Sequence, residues 1–164
     1  MTELKRCAWA ESSEKMRIYH DTVWGVAEYD DQRLFKKLLL DGFQAGLGWS
    51  TVLNKMEHIS EVFDDFDPEI VARYDAAKIE SLLADPGIIR NRSKVESAVH
   101  NAQVYLRIQE RGQSFSDYLW DFCEHQVIVN HWQCDEDAPA TTALSDEIGR
   151  ALRGEGFKYV GAPI

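Results

Sequence analysis

The chain is short of every feature that would place it outside the reducing interior of a cell. Its 164 residues include only three cysteines, Cys7, Cys123 and Cys134, an odd set at irregular spacing, so no disulfide framework is expected. No apolar run approaches the ~20 residues that a membrane-crossing helix needs, and no charged-then-apolar leader opens the chain. A cytoplasmic protein without membrane contact is the expectation. Alternating strand patterns, internal repeats and low-complexity stretches are missing as well, which leaves helices joined by short turns. Positive charge is also scarce: 18 Lys and Arg stand against 28 Asp and Glu, a net charge of −10. That balance argues against a protein that coats nucleic acid, where affinity comes largely from neutralising phosphates. It leaves room for a local basic face.

What is present suffices for one core. At 45% hydrophobic and 28% charged residues, the composition is that of an ordinary globular domain spanning residues 1–164, with no need of a metal or disulfide to fold. Asp30-Asp31 can cap a helix whose apolar residues Leu34, Phe35, Leu38 and Leu39 recur at helical spacing. Residues 51–56 begin another helix. Asp67-Pro68 is a helix start, with Asp as cap and Pro at the first helical position. A short helix over residues 76–83 is stopped by Pro86-Gly87. A long one over residues 91–109 carries Val95, Ala98, Val99, Ala102 and Leu106 on one face. Ser114 or Ser116 can cap a further helix running through Phe122. Residues 130–142 read as a loop, and Ser145 as the cap of a last helix ending at Gly154.

The richest stretch is Asp41-Gly42-Phe43-Gln44-Ala45-Gly46-Leu47-Gly48-Trp49, where an apolar helix runs into two glycines and then a Trp. Glycine permits close backbone approach or conformations closed to other residues, and the Trp can offer a flat face to a planar ligand. Upstream stand Cys7, Trp9, Tyr19-His20-Asp21 and Trp24-Gly25. Downstream stand Pro86-Gly87-Ile88-Ile89-Arg90-Asn91-Arg92-Ser93-Lys94 and Gly156-Phe157-Lys158-Tyr159-Val160-Gly161. On the residues alone, Asp41 is equally a solvated helix-end acid or a ligand contact. Trp9, Trp24 and Tyr19 are equally core or pocket residues.

In this order and at these separations the segments resemble the 3-methyladenine DNA glycosylase I family, a branch of the helix-hairpin-helix base-excision repair enzymes. The resemblance implies an all-α glycosylase-like domain and a monofunctional DNA repair glycosylase. Such an enzyme hydrolyses the N-glycosidic bond of N3-methyladenine in alkylated double-stranded DNA and releases the free base. It implies that the chemistry needs no cofactor and no lysine nucleophile. Trp49 matches the family's stacking Trp, Tyr19 a pocket Tyr, and Asp41 the position of an acid that contacts the base, shortened here by one methylene from the family's Glu; these three are the expected catalytic group. Trp9, Trp24, Phe43 and Gln44 are expected around the base. Met16, Phe43 and Val23 replace polar family residues, so a relative of altered specificity, or one that binds a modified base without turnover, is the alternative.

An aromatic cage suits a flat cation, at roughly 0.5–2 kcal/mol per face, and a damaged base costs least to flip from the duplex. The hairpin residues Gly87, Ile88, Ile89, Arg90, Arg92 and Lys94 are expected to hold DNA. Backbone N–H groups in the turn and the following helix N-terminus would meet a phosphate, and the basic side chains would add contacts. Cys7 and His20 match two of four family zinc ligands. The other two family positions fall past residue 164, so a structural zinc, which needs about four ligands, is expected to be absent or weakly held. The spacing of His131 and Cys134 is ligand-like but reads as chance.

Overall fold

The computed structural model describes residues 5–164, and among these it contains eight α-helices and no strand. Helix α1 (Glu14–Thr22) starts at Ser13, whose hydroxyl accepts the Met16 amide. Helix α2 (Asp31–Gln44) is capped by Asp30 through the Arg33 amide. The neighbouring acid does something else: Asp31 accepts the amides of Phe115 and Ser116, at 3.2 and 2.8 Å, and so ties the start of α2 to that of α7 (Phe115–Trp120). Helix α3 (Trp49–Val62) starts two residues earlier than expected, directly at Trp49. The short α4 (Pro68–Val71) begins with the Asp67 cap and Pro68 in their expected places.

Helix α5 (Ala76–Ala84) and the 19-residue α6 (Arg92–Glu110) flank the Pro86-Gly87 turn. Asn91 caps α6 rather than joining it, because its side chain accepts the Lys94 amide. Ser114 caps α7, which stops at Trp120 and continues as a 3-10 turn, Asp121–Cys123. Residues 130–142 are irregular apart from a 3-10 turn at Asp135–Asp137. The last helix, α8 (Ala143–Glu155), corrects one expectation: Thr142 is its cap, and Ser145 closes a capping box by accepting the Thr142 amide. It ends at Gly156 in the left-handed region, a conformation that favours glycine.

Helix α6 is the axis of the core. Its Val95, Ala98, Ala102, Val104, Tyr105 and Ile108 pack against Phe35, Leu39 and Phe43 of α2 and against Phe115, Phe157 and Val160. Two aromatic groups fill the interior, Phe43–Phe63–Phe66 on one side and Phe35–Tyr105–Phe115 on the other. Truncating any of these phenylalanines to Ala would cost about 3–5 kcal/mol. The chain end is fastened to α6 as well, since the Asn101 amide donates to the Lys158 carbonyl at 2.9 Å and accepts the Lys158 amide at 2.8 Å. The face of this core that carries the C-terminal end of α2 and the start of α3 is where the aromatic residues singled out above collect.

Candidate base pocket and DNA-facing hairpin

A turn of four residues, Ala45–Gly48, joins α2 to α3. Gly46 takes φ +77 there, so the chain reverses with no Cβ strain and delivers Trp49 back over the end of α2. Across the gap, α1 brings Tyr19 within 5.0 Å of Trp49, ring centre to ring centre. The array continues through Trp9, 6.3 Å from Tyr19, to Trp24, which lies edge-on at 5.3 Å. His20 completes it, stacked on Trp24 at 5.4 Å and edge-on to Trp9 at 5.2 Å. Tyr19 is buried, Trp9 and Trp49 half-buried, and Trp24 exposed. The Trp49 indole N–H is buried with no hydrogen-bond partner, a donor left open at a typical cost of about 1–3 kcal/mol.

Asp41, one turn before the end of α2, is half-buried, with only 18% of its side chain exposed. Burial pushes its carboxyl above the usual carboxylate range, and the adjacent Lys37 ammonium pulls it partly back. Lys37 stands four residues earlier on α2, with its ammonium bonded to the Asp41 carboxylate. The same ammonium lies 4.7 Å from the centre of the Trp49 ring and 5.7 Å from that of Tyr19. Two rings and a carboxylate therefore already surround a cation. Lys37 was not among the expected site residues, although its i,i+4 spacing to Asp41 was legible. Burial also raises the Tyr19 hydroxyl above its ordinary pKa, with Lys37 opposing. Beyond Lys37 the cage opens into a groove of about 850 Å³, walled by Tyr19, Val23, Trp24, Val26, Leu34 and Leu40.

Phe43 does not join this site. It is 2% exposed and packs on Phe63 and Phe66; on a helix it lies two residues beyond Asp41, hence on another face. Gln44, the last residue of α2, is half-buried near the turn.

The hairpin between α5 and α6 is shaped by a carboxylate. Asp85 accepts the Gly87 amide at 2.7 Å through one oxygen and binds the His58 ring at 2.7 Å through the other. A Cβ on Gly87 would sit 2.3 Å from the His58 ring, so any larger residue here would push His58 off Asp85. The Gly87 N–H expected to meet a phosphate is thus already engaged by Asp85. Ile88 is 3% exposed with its amide directed to the Asp85 carbonyl, so its side chain belongs to the core. Arg90 is exposed at the turn. Arg92 is exposed but held by Glu80 at 2.8 Å and by Glu96 at 3.6 Å.

Lys94 departs furthest from expectation. It is 6% exposed, and its ammonium donates to the carbonyls of Phe43 at 2.9 Å and Ala45 at 2.5 Å. It therefore caps the C-terminal end of α2, where the helix dipole favours a cation. It cannot at the same time reach a phosphate, and burial lowers its pKa. Its job is to fix the turn between Asp41 and Trp49.

Cys7 and His20 are neighbours, the Cys7 amide donating to His20 Nε2 at 3.5 Å. Burial, with Asp135 nearby, raises the Cys7 thiol above its ordinary pKa. Among the described residues no group of three or more His, Cys, Asp or Glu side chains could hold a metal ion. The residues present do not fit a structural zinc site. His131 and Cys134 lie exposed in the loop and form no such group either.

An all-helical core with a hairpin corner beside an aromatic cage defines a helix-hairpin-helix glycosylase-type domain. The family description "methyladenine glycosylase" matches residues 9–164. DNA-3-methyladenine glycosylase 1 of Escherichia coli strain K12 is 40% identical over 161 residues, 98% of this chain and 86% of that protein. A crystal structure of 3-methyladenine DNA glycosylase I superposes with a TM-score of 0.94 at 38% identity, covering 97% of this chain and 87% of the other. The Staphylococcus aureus enzyme, in a structure concerned with 3-methyladenine recognition, gives a TM-score of 0.91 at 36% identity over 96% of this chain and 84% of its own. This chain belongs to the methyladenine glycosylase family.

Proposed function

We propose that the protein is a DNA-3-methyladenine glycosylase that hydrolyses the bond between an N3-methylated adenine and its deoxyribose in double-stranded DNA. Its membership of the methyladenine glycosylase family supports this reading, as does the solved recognition of 3-methyladenine by a relative at 36% identity. The single observation that carries it to this chain is the cage itself. Tyr19, Trp49 and the Asp41 carboxylate already surround a cation, the Lys37 ammonium.

In the duplex, N3-methyladenine carries a positive charge spread over a flat ring. Flipped out, it stacks on Trp49 with Tyr19 at its edge, while Asp41 accepts its amino hydrogens and attracts its charge. Trp9 and Trp24 extend the aromatic wall. The unpartnered Trp49 N–H is a free donor at the same place. Water attacks C1′ of the sugar, the C1′–N9 bond breaks with its electron pair going to the base, and the attacking water gives up a proton to solvent. The base leaves as neutral 3-methyladenine and the DNA is left with an abasic site. No lysine attacks the sugar: Lys94 is enclosed by the carbonyls of Phe43 and Ala45, and the family resemblance implies no lysine nucleophile, so strand cleavage does not follow.

On the DNA side, Arg90 and the exposed amides at the start of α6 meet a phosphate. Arg92 joins them once it releases Glu80. Asp85 shapes the turn. The test is incubation with methylated duplex: free 3-methyladenine should appear, with abasic sites and no strand breaks in equal measure. Binding of the free base without release would instead identify a recognition module.

A further inference from the structure

Given that reading of the cage, one of its occupants has no part in the reaction as described. The Lys37 ammonium is bonded to Asp41 and lies over both Trp49 and Tyr19. Those are the three groups a cationic base would use. The Lys37 side chain is 35% exposed, so it is neither locked in the core nor free in solvent. We propose that Lys37 is a tethered place-holder: in the free protein its ammonium fills the site of the flipped base, and the base enters only as that ammonium turns out into the adjoining groove.

The physical argument is one of charge and space. With Lys37 in place the cage is neutral, one carboxylate against one ammonium. A second cation brought over the same rings would face a like charge at van der Waals range in a half-buried site, where such repulsion is weakly screened. Both cannot stay. The groove offers the way out, because Lys37 lines it together with Leu34 and Leu40 of the same helix and the open segment Val23–Glu28.

Holding the place has two effects. Before a base enters, the ammonium stays bonded to the half-buried Asp41 carboxylate and opposes the burial that raises its pKa. Every entering base must also displace the same ion pair, so affinity is lowered equally for charged and neutral bases. Undamaged adenine, which gains little from Asp41, then falls below useful occupancy.

Two measurements test this. First, titrations of 3-methyladenine and of adenine, followed by Trp fluorescence, should show Lys37→Met binding both bases tighter than wild type. The gain should be about two- to thirtyfold and similar for the two, the range set by one cation–π contact removed from competition. Lys37→Arg should not gain. Second, wild-type protein labelled at lysine should show a Lys37 methylene next to its ammonium shifted upfield by the Trp49 and Tyr19 rings, told apart from Lys78 over Tyr74 by its loss in Lys37→Met. That signal should move to the ordinary lysine position as 3-methyladenine saturates the site.

Weaker binding by Lys37→Met would overturn the inference, making Lys37 a support of the cage. So would a Lys37 signal that is not upfield before base is added, or one that stays in place at saturation. Those failures would leave the glycosylase reading standing. If neither wild type nor Lys37→Met binds either base, the assignment of the cage as a base pocket fails, and the place-holder with it.

Discussion

Replacing Lys94 by Met separates two roles that its sequence position cannot distinguish. Met keeps the length of the apolar stem and removes the ammonium that donates to the carbonyls of Phe43 and Ala45. Each charge-assisted bond is worth about 1.5–3 kcal/mol, and the carbonyls at a helix end can partly turn to water, so the loss should be about 2–4 kcal/mol. For a domain of this length that lowers Tm by about 4–16 °C, at roughly 2–4 °C per kcal/mol. The same carbonyls lie between Asp41 and Trp49, so the turn that sets the spacing of the cage should loosen. KM for release of 3-methyladenine from methylated DNA should rise. The salt dependence of binding to abasic duplex should stay as in wild type, because no phosphate contact is removed. Thermal melting by circular dichroism, steady-state release and binding at several salt concentrations give the three readouts. An unchanged Tm with a flatter salt slope would refute this reasoning and restore Lys94 to the DNA interface.

Asp41→Asn should slow release from methylated duplex by about 10- to 150-fold, the equivalent of about 1.5–3 kcal/mol for a lost charged hydrogen bond, whereas Asp41→Glu should hold activity; equal rates for wild type and Asn would return Asp41 to a helix-end role. The pair Arg90→Ala and Arg92→Ala should weaken binding to abasic duplex irrespective of sequence and reduce the salt slope by about 1–2; an unchanged slope would take the hairpin side chains out of the interface. The Asp85 carboxyl is held below its ordinary value of 3.8, first by the Gly87 amide and then by His58. Its contribution to the hairpin is therefore present above about that pH and is lost as pH falls through the lower folded value. The NMR shift of the Gly87 amide should titrate below 3.8, and a midpoint at or above it would deny Asp85 its hold on the turn.

The helices were legible because their signals are local. Asp30, Asp67 and Ser114 each carry a side-chain oxygen onto an amide two or three residues on, and a cap of that kind needs no partner from elsewhere in the chain. Even the misplaced cap at Ser145 failed by only three residues, because Thr142 and Ser145 share one capping box. The aromatic cage was legible in a different way. Periodicity left Trp9, Trp24 and Tyr19 divided between core and pocket, and it was the resemblance to a family that gathered them with Trp49.

Residue type alone misled wherever a side chain answers to a distant one. Lys94 follows two arginines and reads as a third basic contact, yet its partners are 49 and 51 residues away. Phe43 sits between Asp41 and Gln44 but turns to Phe63 and Phe66. Asp85, next to a glycine turn meant for phosphate, takes the amide that the phosphate would have used. Phe43 follows the core; for Lys94 and Asp85, a polar backbone group near a helix end needed a partner, and the chain supplied one from its own side chains. The same demand bears on the acidic total. A protein whose basic residues are partly spent inside, as Lys94 is, or on neighbouring acids, as Arg92 is, presents little free positive charge. Its grip on undamaged duplex then rests on a few contacts at one corner. That suits the proposed place-holder, under which specificity would be decided in the cage, by whether a base can displace Lys37.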